Sequence, residues 1–415
     1  MNVLKQFNIC KHTDFLEPGM WFLCQDEQYL GKALLKNPFG VICSPEVAPL
    51  LTCPYTLTQD PYRTWSDMCA LQWPSRPGFV AGVTGTNGKT SVAYITYQLL
   101  CKLGISAAYI GTLGVHSHFK SSYNLRLTTP DAFDLHRILH ELSQNATTHL
   151  AIEISSIALT QKRVANLHLD VAAFTSFSQD HLDLHKDMNT YWAAKMEIVD
   201  ILKPTGIFLV ERELSHRINF SHTVYNSSYT YTSPLYVGFM QDNLQAAGSI
   251  CQAAGFTQAQ IQAAIDSISE RVPGRLEEVL PNVFIDFAHN PESLQRLLQC
   301  FAGKRIVLVF GCGGNRDQGK RVLMGEIARK YSEVVIITDD NPRQEEPKLI
   351  REQIICGCPS AIDIPNRCAA IREGIRISRS IDGVCIIAGK GHETVQIYGN
   401  SESHFSDREE VMRWI

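Results

Sequence analysis

Val80-Ala-Gly-Val-Thr-Gly-Thr-Asn-Gly-Lys-Thr-Ser91 decides the reading of the fold. Phe79 to Val83 read as a short buried strand, and Gly82, Gly85 and Gly88 punctuate the loop region that follows. From Ser91 onward, apolar Val92, Ile95, Leu99, Leu100 and Leu103 recur at helical spacing until Gly104, which predicts a helix. A glycine-rich turn entering a helix N-terminus aims backbone N–H groups and a helix dipole at one point, a cradle for phosphate. Lys89 is placed to reach the outer phosphates of a nucleotide, and the Thr90 hydroxyl to meet Mg²⁺. By strict spacing the leading glycine belongs at position 83; here Gly82 or Gly85 stands for it. The rival reading, a glycine turn with a surface lysine, leaves the succession of strand, loop and helix without a reason.

The chain has 415 residues, enough for two to four domains. Its 45% hydrophobic and 19% charged residues match an ordinary globular protein. A net charge of -4 gives no reason to expect nucleic acid or an anionic membrane as partner. Thirteen scattered cysteines and no signal peptide point to reduced thiols and a cytoplasmic location. Cys356 and Cys358 lack a second pair at zinc spacing and read as packing residues. No apolar run has the length of a membrane span.

Residues 1–76 read as a small N-terminal α/β module, with strands at Trp21–Leu23 and Gly40–Cys43. Residues 77–270 read as a central P-loop ATPase-like domain with a doubly wound parallel sheet. Its further strands are Ser106 to Ile110, His149 to Ile154 and Val171 to Phe174. Glu153, near a strand's C-terminal end, belongs at the mouth of the phosphate site, where a metal or its water is its natural partner. His181 and His185 lie at i and i+4; a zinc site is one reading, one His assisting Mg²⁺ another, and packing the better one for His185. Lys195 on a mostly apolar helix from Asn189 reads, taken alone, as a snorkelling stem. Arg275 is either a surface charge or a phosphate clamp swung in from a Pro-Gly joint.

Residues 271–415 read as a C-terminal Rossmann-like domain. Strand cores are Val283 to Asp286, Arg305 to Phe310, Val334 to Thr338, Ala361 to Ile364 and Val384 to Ala388. Polar clusters follow four of them: Asp286–Asn290, Gly311–Asp317, Asp339–Arg343 and Gly389–Glu393. Four such clusters on one sheet edge imply a binding face for a charged small molecule. Gly311-Cys-Gly-Gly314 does not complete a dinucleotide fingerprint.

Thr84–Thr90, Glu153-Ile-Ser-Ser156, Asp180-His-Leu-Asp183, Ala194-Lys195, Val272-Pro-Gly-Arg275, Asp286-Phe-Ala-His289 and Gly389–Glu393 together resemble the Mur ligases. These are ATP-dependent amino-acid-adding enzymes of peptidoglycan synthesis. The resemblance is to the members that extend UDP-N-acetylmuramoyl-L-alanyl-D-glutamate by its third residue. It implies that Lys89, Glu153, His181 and Lys195 are catalytic, with Thr90, Glu153, His181 and a carbamylated Lys195 serving Mg²⁺. It places Gly85, Thr86, Asn87, Gly88, Lys89, Thr90, Ser91, Asn243, Arg275, Asp286 and His289 around ATP. Thr128, Thr129, Ser155 and Arg163 match contacts to the UDP-sugar peptide; uridine contacts do not carry over, because the first domain is short.

Asp340-Asn341-Pro342-Arg343 looks like the signature of the meso-diaminopimelate-adding members. A guanidinium can grip the extra carboxylate that distinguishes diaminopimelate from lysine. Asn341 and Arg343 are the implied specificity residues, Arg316 a second carboxylate partner, and Gly389 and Glu393 holders of the distal ammonium. The implied reaction is acyl phosphate formation on the D-glutamate side chain, then amide formation, by a monomer. The rivals are a lysine-adding ligase, folylpolyglutamate synthase and a non-catalytic nucleotide-binding switch.

Overall fold

Among the described residues three larger sheets, each built mainly from parallel strands, follow one another along the chain, and a two-stranded antiparallel hairpin, Val395–Tyr398 with Ser401–His404, comes after them. The structure is a computed structural model that describes residues 3–119, 125, 127–180, 182–219, 221, 223–224 and 230–413. The first sheet has five short strands ending with Tyr55–Leu57. Trp21–Leu23 and Gly40–Cys43 are strands as predicted.

The central sheet has seven strands in the order Thr223–Val224, Leu202–Val210, Leu169–Phe174, Phe79–Thr84, His149–Glu153, Ala107–Gly111 and Gly114–Ser117. All pairs are parallel except the last. Phe79–Thr84 sits in the middle with Val80, Ala81 and Val83 buried, as an apolar run in a two-sided parallel sheet requires. The helix after it runs from Lys89 to Lys102, two residues earlier than the apolar spacing suggests. Its first residues line the cleft described below rather than the core, so hydrophobic periodicity does not register them.

Leu202–Val210 is a further strand, absent from the sequence reading, and it pairs with Leu169–Phe174. Its first half is polar or exposed, and only Phe208, Leu209 and Val210 are buried, so its pattern falls below what a sequence window detects.

The C-terminal sheet runs Glu277–Leu280, Val283–Asp286, Val384–Ala388, Ile306–Phe310, Val334–Ile337 and Ile362–Asp363, parallel beyond its first pair. Ile306–Phe310 and Val384–Ala388 are wholly buried. One continuous apolar core joins this sheet to the central one through helices Phe239–Ala253 and Gln258–Asp266. That core holds the C-terminal strand ends of both sheets at one crevice. All thirteen cysteines are free thiols; Cys358 is buried, but Cys356 is exposed and is not a packing residue. No helix among the described residues is long and apolar enough to cross a membrane.

Candidate active site

The phosphate loop is shaped by its glycines. Gly88 has φ +89°, and a Cβ there would sit 2.8 Å from Asn243 Oδ1. Gly85 has φ +143°, and a Cβ would sit 2.0 Å from Thr175 Oγ1, so only glycine fits. The Thr86 N–H donates to the Ser176 carbonyl at 2.8 Å and the Asn87 N–H to Ser176 Oγ at 2.9 Å. The residues just after the neighbouring strand therefore clamp the loop.

Glu153 ends its strand fully buried. Thr90 Oγ1 donates to its Oε2 at 2.9 Å, Thr112 Oγ1 at 3.1 Å, and the Thr112 N–H donates to Oε1 at 2.8 Å. Tyr109 also donates its hydroxyl proton to Oε1. Sequence reasoning missed Tyr109 and Thr112; the Gly111–Gly114 turn beside Glu153 was the available signal. Hydrogen bonds of this kind make a buried carboxylate tolerable and fix its direction.

Lys195 overturns the snorkelling reading. It is 1% exposed, and its Nζ donates to the Gly85 carbonyl at 2.7 Å. Burial, and then the nearby Lys89, hold its ammonium well below the usual lysine range. Lys89 itself curls onto the loop, donating to the carbonyls of Gly85 at 2.8 Å and Thr86 at 2.9 Å. His185 is buried with Nε2 2.9 Å from Ser156 Oγ, a packing role that leaves the zinc reading without its second ligand. His181 lies outside the described residues. Among the described residues no three His, Cys, Asp or Glu side chains cluster as a metal cage. A Glu carboxylate and a Thr hydroxyl side by side are a hard oxygen set, which suits Mg²⁺ completed by phosphate oxygens and not zinc.

The C-terminal sheet closes over this loop. Arg275 is no surface charge: its Nη2 donates to Thr90 Oγ1 at 3.1 Å, and its guanidinium carbon lies 4.5 Å from the Phe287 ring centre. Buried Asp286 accepts from the Leu276 and Ala288 N–H groups, both at 2.7 Å, fixing the turns on either side. His289 Nε2 lies 3.8 Å from Asp180 Oδ2. Asn87 Nδ2 donates to Glu292 Oε2 at 2.9 Å, and Asn290 Nδ2 to Asn87 Oδ1 at 3.1 Å. Asn290 also caps the helix Pro291–Gln299.

Across the crevice lie Asp340, Asn341 and Arg343. Arg343 Nη1 donates to the Gly314 carbonyl at 2.8 Å, and its backbone N–H to the Ile397 carbonyl at 3.1 Å. Asn341 Nδ2 donates to Glu393 Oε2 at 2.9 Å. Gly389 has φ +112° and its missing Cβ leaves room for Asp340 Oδ2. On the third side, the Thr129 hydroxyl donates to the Glu153 carbonyl at 2.9 Å and accepts from the Ser155 N–H at 3.0 Å. Arg163 Nη1 holds the Thr129 carbonyl at 3.0 Å, and Thr128 meets Thr112 at 3.2 Å.

One cavity of about 500 Å³ joins all three sides. Of the residues expected at the site, Gly85 and Pro342 do not line it; they shape the backbone behind it. The rest of the described ones do, including exposed Arg316.

Residues 83–259 match the Mur ligase middle domain, and 258–391 the Mur ligase glutamate ligase domain. A Rickettsia bellii protein named UDP-N-acetylmuramoyl-L-alanyl-D-glutamate–2,6-diaminopimelate ligase is 36% identical, covering 85% of this chain and 83% of its own. A Rhizobium meliloti protein of the same name is 34% identical, covering 93% and 88%. A solved structure of a ligase of that name superposes with a TM-score of 0.62 at 24% identity, covering 98% of this chain and 94% of that one.

Proposed function

Since the chain belongs to the Mur ligase family, we propose that it joins meso-diaminopimelate to the D-glutamate side chain of UDP-N-acetylmuramoyl-L-alanyl-D-glutamate at the expense of ATP. One observation carries this reading. A phosphate loop with a buried carboxylate, and an Asn–Arg–Glu cluster suited to a zwitterionic amino acid, line a single cavity from opposite sides. Adenosine would lie toward Asn243, with Asp286 and His289 behind it and Arg275 and Lys89 on the phosphates. The UDP-sugar peptide would approach over Thr128, Thr129, Ser155 and Arg163. The three sheets support a division into 1–76, 77–270 and 271–415. We infer a cytoplasmic monomer.

The reaction runs in two steps. The glutamate carboxylate oxygen attacks the ATP γ-phosphorus, the bond to ADP breaks, and an acyl phosphate forms. The diaminopimelate amine then attacks the acyl carbon, and the tetrahedral intermediate expels inorganic phosphate to leave the amide. Thr90, Glu153 and Lys195 as its carbamate would hold Mg²⁺, which supplies charge neutralisation on the phosphates. A lysine whose neutral form is favoured by burial is the nucleophile that carbamylation by CO₂ requires. Arg275, desolvated over Phe287, adds fixed positive charge that costs no reorganisation during transfer. Closure of the two sheets over the cavity keeps water from the acyl phosphate.

Arg343 and Arg316 present positive charge to the second carboxylate of diaminopimelate, while Glu393 faces the ammonium. With lysine that positive charge meets no second carboxylate, which favours diaminopimelate over lysine. ADP release with the UDP-dipeptide, ATP and Mg²⁺, run with diaminopimelate or with lysine, tests the proposal. Turnover with diaminopimelate alone supports it. Turnover with lysine overturns the specificity, and none with either overturns the ligase.

A further inference from the structure

Lys390 stands between the two side chains assigned to the incoming amino acid, yet the reaction as derived gives it no task. Its side chain is 0% exposed. Its Nζ lies 3.1 Å from Asn341 Oδ1 and 3.1 Å from Glu393 Oε2. Asn341 Nδ2 closes the triangle on the same Glu393 Oε2 at 2.9 Å. The Ile397 backbone N–H adds a second donor to Asn341 Oδ1 at 3.0 Å.

An ammonium and a backbone N–H can only donate, so the atom of Asn341 that faces both must be its oxygen. The amide therefore has one allowed orientation. Its oxygen is consumed, one of its two N–H bonds is spent on Glu393, and a single N–H is left for a ligand. Glu393 is likewise half committed: Oε2 takes two donors, and Oε1 is the oxygen left to offer. Lys390 also offsets the Glu393 charge from within the protein.

We propose that Lys390 is a positioning residue for specificity: together with the Ile397 N–H it fixes Asn341 as a donor, aimed at the distal carboxylate, and it confines ammonium recognition to Glu393 Oε1. This deepens, and rests on, the reading of the chain as a diaminopimelate-adding ligase. Without Lys390, the Ile397 N–H is the one protein donor left on Asn341 Oδ1, so the amide turns its oxygen outward toward an ammonium more readily. A lysine side chain then becomes a better substrate and diaminopimelate a worse one.

The test is Lys390→Met, which keeps the stem and removes the ammonium, assayed by ADP release beside the wild type. The KM for diaminopimelate should rise at least about tenfold, the size of one lost charge-supported hydrogen bond. The KM values for ATP and the UDP-dipeptide should stay within about twofold, and the preference for diaminopimelate over lysine should narrow. An unchanged diaminopimelate KM with unchanged preference overturns the proposal. If Lys390→Met fails to fold, Asn341→Asp, which leaves Lys390 in place but removes the N–H, decides instead. It should raise the diaminopimelate KM by a similar factor, and wild-type affinity there overturns the donor role. A wild type that folds but turns over no diaminopimelate overturns the proposed function itself, and this inference with it.

Discussion

Lys195 Nζ donates to the carbonyl of Gly85 at 2.7 Å, tying a helix 110 residues downstream to the first glycine of the phosphate loop. The amine is buried beside Lys89, and both burial and like charge favour its neutral form. Lys195→Ala should lower turnover by about 100-fold or more, because it removes an anionic ligand for the Mg²⁺ that would neutralise the transferring phosphate. Mass spectrometry of native protein under CO₂ should find one carbamate, absent from the variant. Near-normal ADP release by the variant would remove the carbamate from the mechanism.

Arg343 holds its backbone at φ +53°, with its N–H on the Ile397 carbonyl and its guanidinium on Gly314. Strain kept by surrounding hydrogen bonds is common where a side chain must be aimed. Arg343→Met should cost about 2–4 kcal/mol in kcat/KM for diaminopimelate and much less for lysine, because only the former loses a carboxylate partner. Equal losses for both substrates would mean that Arg343 does not discriminate.

Behind that loop, Arg367 and Asp407 form a fully buried pair, with Nε and Nη2 each 2.7 Å from a carboxylate oxygen. The Arg367 Nη1 has no hydrogen-bond partner and faces Asp340 Oδ2 at 3.9 Å. Asp407→Ala should destabilise the protein by about 3–5 kcal/mol, since it strands a buried guanidinium. The double variant Arg367→Met/Asp407→Leu should recover most of that. Denaturant titration of the three proteins measures both effects.

Glu211 lies at the C-terminal end of Leu202–Val210 and lines the cavity; burial pushes its carboxyl up to about 7. The folded protein then holds a proton that the unfolded chain releases near pH 4.5. Stability from this group is present below the unfolded value and falls as pH rises through the folded one. Glu211→Gln should therefore stabilise the protein at pH 8 by about 1–3 kcal/mol and change it little near pH 4.5. Thermal melts of both proteins across that range would show the gap opening with pH; a constant gap would exclude Glu211 as its source.

The βα succession, the phosphate loop and the four polar clusters of the C-terminal sheet were legible along the linear chain. Those features are local: Gly85 and Gly88 punctuate a turn, Lys89 and Thr90 follow at fixed spacing, and strand cores such as Ile306–Phe310 are unbroken apolar runs. Rows of parallel strands then force their C-terminal ends to share an edge, so Glu153, Asp286 and Asn341 could be placed near a site without coordinates. The partners that each charged side chain faces emerge only on folding. Lys195 on a mostly apolar helix reads as snorkelling until the loop it touches is folded against it. Tyr109 and Thr112 become partners of Glu153 only when the strand Ala107–Gly111 and the turn after it lie beside the strand that Glu153 ends. Lys390 is one lysine in a glycine-rich turn until Asn341, Glu393 and Ile397 converge on it. Spacing along a chain encodes which element a residue rides; burial, and the donors and acceptors around a buried charge, come from segments that meet only in the fold.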